Sequence, residues 1–339
     1  MITQNSDMSQ NFSVAVLGAG AIGCIVGGFI AEMGLHPVLI GRAHVLDPLS
    51  QQGLSFEAGN AHMIRPVQFG IATSPEALAE KDVIFVATKA TALQQVVTDI
   101  KAHGKPDALI VCLLNGISPV RFLQAALPDH KVLAGMVPFN VVWLDDVHLQ
   151  QSSLGKIELE AHKVTNFLRQ RRPEWFDTKD TLDGIQNGKL LLNLINPVNA
   201  LSGLPLVKML ASRGYRLIYA DAVAEALVVY KAAGLSFENQ AALPMPLTLK
   251  LLKGPNWLVK ALVISRQKLG PHTMTSMAQD YSAQRPTEID FINGEIVALG
   301  QSLGVPTPVN SALVNWVQRA PERRWPNPSP EEIRASIGQ

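Results

Sequence analysis

A parallel α/β sheet domain followed by an all-helical domain is the fold class this sequence predicts, and three observations predict it. Near the start, an apolar strand runs straight into a glycine-rich turn, Val14-Ala15-Val16-Leu17-Gly18-Ala19-Gly20-Ala21-Ile22-Gly23. The first half then alternates short apolar runs with helical stretches, the pattern of a parallel sheet covered on both faces. From about Gly188 that alternation stops and long helical patterns replace it.

The glycine turn is followed by Ile22, Ile25, Val26, Phe29, Ile30 and Met33 at helical spacing. Strand, turn and helix in that order make a Rossmann-type nucleotide fingerprint, because backbone N–H groups and the positive helix end converge where a pyrophosphate sits. Gly18 allows the tight turn, Gly20 lets the pyrophosphate approach, and Gly23 lets helix and strand pack closely. Gly18, Ala19, Gly20, Ala21, Ile22 and Gly23 are therefore candidate cofactor contacts. The alternative is a glycine turn with no cofactor.

The helix ends at Gly34-Leu35-His36, and Pro37-Val38-Leu39-Ile40 reads as the second strand. A site for NAD carries an acidic residue at that strand's end, holding the ribose 2′-hydroxyl. Here the chain has Gly41-Arg42 and no Asp before Asp47. A guanidinium pairs with a 2′-phosphate that a carboxylate would repel, so Arg42 argues for NADP (NADPH). A solvated surface charge is the competing reading of Arg42.

Residues 83–87 and 109–114 are continuous apolar runs that read as further parallel strands. Lys89 and Asn115-Gly116 lie just past their carboxyl ends, the edge where ligands bind in open α/β sheets. Either could equally be a plain turn. Residues 132–142 and 155–159 look like later strands, and 167–184 carries the remaining αβ unit. Helical patterns then cover 189–201, 220–233, 247–252, 257–269 and 287–303. The expected organisation is a cofactor domain over 12–186, a helical substrate and dimerisation domain over 187–320, and a proline-rich tail over 321–339. A cleft between the two domains is the default ligand site. The tail, with Pro321, Trp325, Pro326, Pro328 and Pro330, reads as extended and packed back on a domain, with a short helix near Glu331.

Composition narrows the function class. The 339 residues are 47% apolar and 17% charged with a formal net charge of +1. That balance gives no electrostatic case for nucleic acid or an anionic membrane. No apolar run approaches the ~18 residues of a membrane span. Residues 1–11 are polar and lack a signal peptide's order, so the expected location is the cytoplasm. Cys24 and Cys112 form no CxxC pair and read as small core residues. The eight histidines show no metal-ligand spacing, and no metal site is expected.

Two constellations in the second half carry polar groups on apolar frames. In Lys189-Leu-Leu-Leu-Asn193-Leu-Ile-Asn196-Pro197, steps of four and seven residues put Lys189, Asn193 and Asn196 on one face of a single helix. A ligand in a cleft would satisfy that stripe, as would a snorkelling Lys and two capping Asn residues. The second constellation is Ser276-Met277, Asp280, and Arg285-Pro286-Thr287-Glu288-Ile289-Asp290-Phe291-Ile292-Asn293-Gly294. Thr287 with Asp290 fits a capping box, which is the favoured reading of Asp290. Glu288 would sit in the first turn, where the dipole favours a carboxylate with or without a ligand.

Together the glycine loop, Lys89 in Ala-Thr-Lys-Ala, Asn115-Gly116, the Lys189–Asn193–Asn196-Pro197 helix and the Ser276…Glu288…Asn293-Gly294 segment resemble the ketopantoate reductases (2-dehydropantoate 2-reductases). The likeness runs from about residue 14 to 309 and covers both domains. It implies a Rossmann domain joined to a helical domain of the 6-phosphogluconate dehydrogenase C-terminal type. It also implies NADPH-dependent reduction of ketopantoate to pantoate, on the way to pantothenate and coenzyme A. By resemblance Lys189 is the general acid and a substrate contact, Asn193 and Asn196 hold the substrate's polar groups, and Ser276 lies near its carboxylate. Lys89 and Asn115 would contact the nicotinamide end, and Glu288 the ribose or the alkoxide region. Val141, closing Val137-Pro138-Phe139-Asn140-Val141, would be a further cofactor contact, and a homodimer is compatible with the family.

The chain departs from the family's pattern in three places. Asn193 and Asn196 are three residues apart where well-known members have four. A further substrate-facing Asn is replaced near Leu206, and residues 137–141 replace a Thr-Thr-His-Ala-Ala type segment. Reduction of another 2-oxo or 3-oxo acid therefore stays open, as does a non-catalytic NADP-binding sensor.

Overall fold

The structure, a computed structural model, describes residues 12–58, 61–151, 153–259, 261, 270, 272–322 and 324–337, with backbone only for 61–66. It divides into two compact units, one of residues 1–114 and 119–182, the other of 115–118 and 183–339.

The first unit begins with β1 (Val14–Leu17), α1 (Ala21–Ala31), β2 (Val38–Ile40) and α2 (Ala43–Gln52). Next come β3 (Leu54–Ala58), β4 (Ala61–Val67), β5 (Gly70–Ala72) and β6 (Val83–Val86). Then follow α3 (Leu93–His103), β7 (Leu109–Cys112), α4 (Ser118–Ala126) and β8 (Val132–Met136). The unit closes with β9 (Val141–Trp143), β10 (His148–Gln151), β11 (Ile157–Glu160), α5 (Lys163–Arg171) and β12 (Phe176–Lys179). Eight strands form one sheet in the order β12-β11-β8-β7-β6-β1-β2-β5. From β5 to β8 every pairing is parallel, and β11 then joins β8 antiparallel. This is the doubly wound order that reverses direction between β1 and β6, where ligands bind at the carboxyl ends. Cys24 and Cys112 are buried, as expected of core residues. Phe29 of α1 stacks on Trp175 at 4.4 Å and meets Phe56 edge-on at 5.3 Å, tying helix to sheet.

One part of this unit was not foreseen. A second, four-stranded sheet runs β4-β3-β10-β9. Its β3 and β10 pair in parallel although Gln150 and Glu57, which also share a 2.8 Å side-chain bond, are 93 residues apart. Residues 132–142, read as strand throughout, split into β8 and β9. Pro138 lies in the gap, and its lack of an N–H breaks a ladder.

Among the described residues the second unit contains helices and no strands. They are α6 (Asp183–Asn193), α7 (Asn196–Ser202), α8 (Leu206–Ala211), α9 (Arg213–Ala232) and α10 (Met245–Lys253). After these come α11 (Asn256–Val259), α12 (Ser276–Ser282), α13 (Asn293–Leu303), α14 (Pro308–Gln318) and α15 (Pro330–Ala335). The expected helix over 257–269 lies beyond Val259 mostly outside the described residues. The long α9 is the axis, packed by α6, α7, α8, α10, α13, α14 and α15. Arg216 on α9 is fully buried and donates to the carbonyls of Leu210, Leu252 and Gly254 and to Asn256 Oδ1. The proline-rich segment folds back: Tyr215 and Tyr281 donate to the carbonyls of Pro328 and Pro326, and Ser329 with Glu332 caps α15.

No helix among the described residues is long and apolar enough to cross a membrane, and no group of His, Cys, Asp and Glu among them could hold a metal.

Candidate active site

The glycine turn lies at the point where the strand order reverses. Gly18 has φ +110°, and a Cβ there would meet Thr88 N at 2.6 Å and the Ala87 carbonyl carbon at 2.7 Å. The loops after β1 and β6 are therefore in backbone contact, which only glycine permits. Gly20 is different: beyond its chain neighbours, no atom lies within 4 Å of its would-be Cβ. No side chain caps α1 and no acidic residue occupies its first turn. The first intrahelical bond is Cys24 N–H to the Gly20 carbonyl, at 2.8 Å. The N–H groups of Ala21, Ile22 and Gly23 thus have no intrahelical partner, which is the arrangement that accepts a phosphate. Thr88 Oγ1 is buried with no hydrogen-bond partner in this loop pair. An open glycine cradle, uncapped N–H groups and an unpaired hydroxyl fit a dinucleotide.

Arg42 follows β2, starts α2 and is exposed, with no ion pair to any described residue. Lys89 is exposed and opens a 3-10 turn over Ala90–Ala92. Ala19 is nearly buried, and Gly41 sits against it so closely that a Cβ would come within 2.5 Å. Val141 begins β9, which packs on α1, and is half-buried against the first unit's core.

Asn115 and Gly116 fold with the second unit. Gly116 has φ +90°, and a Cβ on it would lie 2.5 Å from the Phe291 carbonyl oxygen. Asn115 stays half-exposed at the head of this turn. Beside it the Glu295 carboxylate accepts from Ile117 N–H at 2.9 and 3.0 Å, Ser118 N–H at 2.7 Å and Ser118 Oγ at 2.5 Å.

Lys189 lies on α6, whose course is fixed just before it. A Cβ on Gly188 would overlap the Glu238 carbonyl, and Asn187 donates to the Ser236 carbonyl at 2.7 Å. Lys189 is half-buried, and desolvation brings its pKa down from 10.5 to about 8. The Glu288 carboxylate opposes that drop by Coulombic attraction. Glu288 is itself 8% exposed, so water screens its effect on the half-buried Lys189 only weakly.

The single helix expected over 189–201 is two helices. α6 ends at Asn193 and α7 starts at Asn196, with Pro197 in its first turn. Proline has no N–H to donate and its ring excludes the preceding turn, so the helix restarts there. Lys189 and Asn193 keep their shared helix, whereas Asn196 belongs to another element, and its place follows from the break rather than from a seven-residue step. Asn196 is buried and Asn193 half-buried. Ser276 is exposed at the start of α12, which packs on α7.

The expected capping box is absent. The α-helix begins at Asn293, after a 3-10 turn over Ile289–Phe291 with Glu288 at its head and no side-chain cap. Asp290 instead accepts from Gln318 Nε2 at 2.6 Å, so its role is a tie to α14.

Three residues escaped the sequence reading. Asn199 is fully buried, accepts from Thr275 N–H at 2.9 Å and donates to the Leu204 carbonyl at 2.7 Å, so it fixes where α12 and Ser276 begin. Its buried polarity inside an apolar helix was the available signal. Thr88 was visible only as the neighbour of Lys89. Glu295 lies inside the helical pattern expected over 287–303, and nothing in its local sequence points to residues 117 and 118.

Two family models match the chain: Ketopantoate reductase PanE/ApbA over residues 14–163, and its C-terminal domain over 182–320. The 2-dehydropantoate 2-reductase of Streptococcus pyogenes serotype M1 is 24% identical over 312 residues, 87% of this chain and 93% of its own. The crystal structure of a PanE/ApbA family ketopantoate reductase from Ralstonia eutropha JMP134 aligns with a TM-score of 0.77. It is 24% identical, and the alignment covers 92% of this chain and 99% of that one. D-mandelate dehydrogenase, solved with NADH and anilino(oxo)acetate, aligns at a TM-score of 0.76 and 22% identity, with coverage of 92% and 99%. At these identities the structural likeness shows the fold.

Proposed function

The chain belongs to the ketopantoate reductase family, oxidoreductases that use a nicotinamide dinucleotide, and from that premise we propose that it reduces ketopantoate to pantoate with NADPH. The observation that carries the reading is the Lys189 ammonium, lowered to about 8 by burial with the Glu288 carboxylate opposing. A bound reduced nicotinamide supplies the hydride that the ketone carbon receives. As that carbon gains the C–H bond, the carbonyl π electrons move onto oxygen, and Lys189 Nζ donates its proton there to give the hydroxyl. An ammonium with a pKa near 8 is mostly charged at neutral pH yet parts with its proton readily, which suits a general acid. Its charge also stabilises the developing alkoxide before the proton moves. Water then returns a proton to the Lys189 amine.

The remaining residues bind and orient. The N–H groups after Gly20 take the pyrophosphate, Arg42 the 2′-phosphate, and Lys89 and Asn115 the nicotinamide side, with Val141 a further cofactor contact. Asn193 and Asn196 hold substrate oxygens, with Ser276 at the carboxylate. Glu288 favours the charged form of Lys189 and, as the family resemblance implies, would serve the cofactor ribose or the alkoxide region. A homodimer belongs to the same reading, and light scattering on the purified chain checks it.

The altered Asn193 and Asn196 spacing favours a second reading, in which the acid is a different 2-oxo acid. The D-mandelate dehydrogenase neighbour, solved with anilino(oxo)acetate, puts aryl-substituted 2-oxo acids first among these. NADPH oxidation measured across a panel of ketopantoate, branched aliphatic and aryl 2-oxo acids decides between them. The highest kcat/KM on ketopantoate supports the first reading, and the highest on an aryl acid the second. No turnover on any member leaves a cofactor-binding protein without this chemistry.

A further inference from the structure

We propose that Glu295 is a positioning residue that holds the Asn115-Gly116 turn in its cofactor-binding shape. The inference rests on the reading that Asn115 contacts the cofactor. The turn cannot hold itself: Gly116 sits at φ +90°, which glycine adopts freely but with no strong preference over its other allowed conformations. What fixes it comes from far along the chain. Glu295, 177 and 178 residues away, accepts from two backbone N–H groups, that of Ile117 on both oxygens, and from the Ser118 hydroxyl. The N–H of Ser118 stands at a helix start and has no intrahelical acceptor, so a carboxylate is the strongest partner available to it.

A plain helix cap would need far less. A Ser, Thr, Asp or Asn next to the turn would serve, and Ser118 with its own hydroxyl is already there. Using a distant carboxylate does something a local cap cannot, because it ties the turn to the frame that carries Glu288 and α13. That frame is itself fixed. Asn293 is fully buried and donates to Asn310 Oδ1 at 2.9 Å, while Asn310 Nδ2 donates to the Ala222 carbonyl and to Glu225. Glu225 also accepts from the N–H groups of Val309 and Asn310. The start of α13 is thus locked to α9 and α14, and Glu295 is its third residue. Gly116 completes the fit, since a Cβ would lie 2.7 Å from Glu295 Oε1.

The test is a double-mutant cycle on the full chain, read as NADPH and NADH dissociation constants by fluorescence titration. Asn115→Ala is expected to weaken both cofactors by roughly 10-fold, the loss of one good hydrogen bond. Glu295→Ala should weaken both by a similar factor, equally for NADPH and NADH because the 2′-phosphate end is untouched. In the Asn115→Ala background, adding Glu295→Ala should cost less than about twofold, the non-additivity of residues acting as one unit. Should Glu295→Ala fail to fold, the cycle is run with the isosteric Glu295→Gln, expected to show the same coupling at smaller size. Multiplicative losses in the double variant, or a Glu295 variant with wild-type affinities beside a weakened Asn115→Ala, overturn the positioning role alone. Wild-type affinities in Asn115→Ala, or no NADPH binding by the parent chain, overturn the cofactor reading and this inference with it.

Discussion

Glu288 and burial act on Lys189 in opposite senses, and burial wins: the ammonium ends at about 8 despite a carboxylate that raises it. Because a general acid must be charged, the rate of ketone reduction should fall as pH rises through about 8. Oxidation of the alcohol needs the amine and should rise over the same range. Glu288→Gln removes the opposing attraction, so the reductive limb should move to lower pH. Rate profiles of both directions check this, and an unmoved limb in Glu288→Gln would detach Glu288 from the proton donor.

The same shift has a stability consequence. Between about 8 and the ordinary 10.5, the unfolded chain holds more protons at Lys189 than the folded one. Stability should therefore rise with pH across that window, the burial penalty of the ammonium being present below it and relieved above. In Lys189→Met that component of the rise should disappear. Denaturant unfolding of both proteins at several pH values between 7.5 and 10.5 measures it.

Arg42 should set cofactor preference. An exposed guanidinium following β2 can pair with a 2′-phosphate, and a charge-assisted contact contributes roughly 1.5–3 kcal/mol, or on the order of 10- to 100-fold. Arg42→Ala should lower NADPH affinity by that factor and leave NADH affinity nearly unchanged. Titrating both cofactors against parent and variant reads it directly, and an unchanged ratio contradicts the assignment.

Gly18→Ala should damage fold and cofactor binding together. A Cβ would meet Thr88 N at 2.6 Å, with φ at +110°. Overpacking of this kind destabilises by about 1–3 kcal/mol. Thermal melting combined with NADPH titration should show both losses. Gly20→Ala, with open space around its Cβ, should keep the melting temperature and lose affinity.

The first unit's main sheet was legible because its signals are local. β1, the glycine turn and the facing face of α1 each declare themselves within a dozen residues, and β6 and β7 are unbroken apolar runs. The four-stranded sheet was not legible, because three-to-five-residue strands such as β9 and β3 carry little period, and β3 finds its partner β10 far along the chain. In the second unit the helical character was plain, but its breaks were decided by tertiary context. Pro197 marked the restart at Asn196, yet the polar stripe suggested one continuous helix. Thr287 and Asp290 had the spacing of a capping box, but Gln318 outcompeted the local bond. Lys189 and Glu288 were both singled out from sequence, and only the folded chain shows them electrostatically coupled. Glu295 could not be found, because its meaning depends on a turn 177 residues earlier.

The central claim is that Lys189 gives the proton in a nicotinamide-dependent reduction, and the turnover of Lys189→Ala with NADPH and the preferred 2-oxo acid tests it most directly. Removing a general acid that also stabilises the alkoxide should lower kcat by at least about 100-fold. NADPH affinity and melting temperature should stay near the parent's, since Ala is the better helix former and a half-buried Lys leaves no large core cavity. A Lys189→Ala protein that is folded, binds NADPH and turns over at close to the parent's rate would contradict the account.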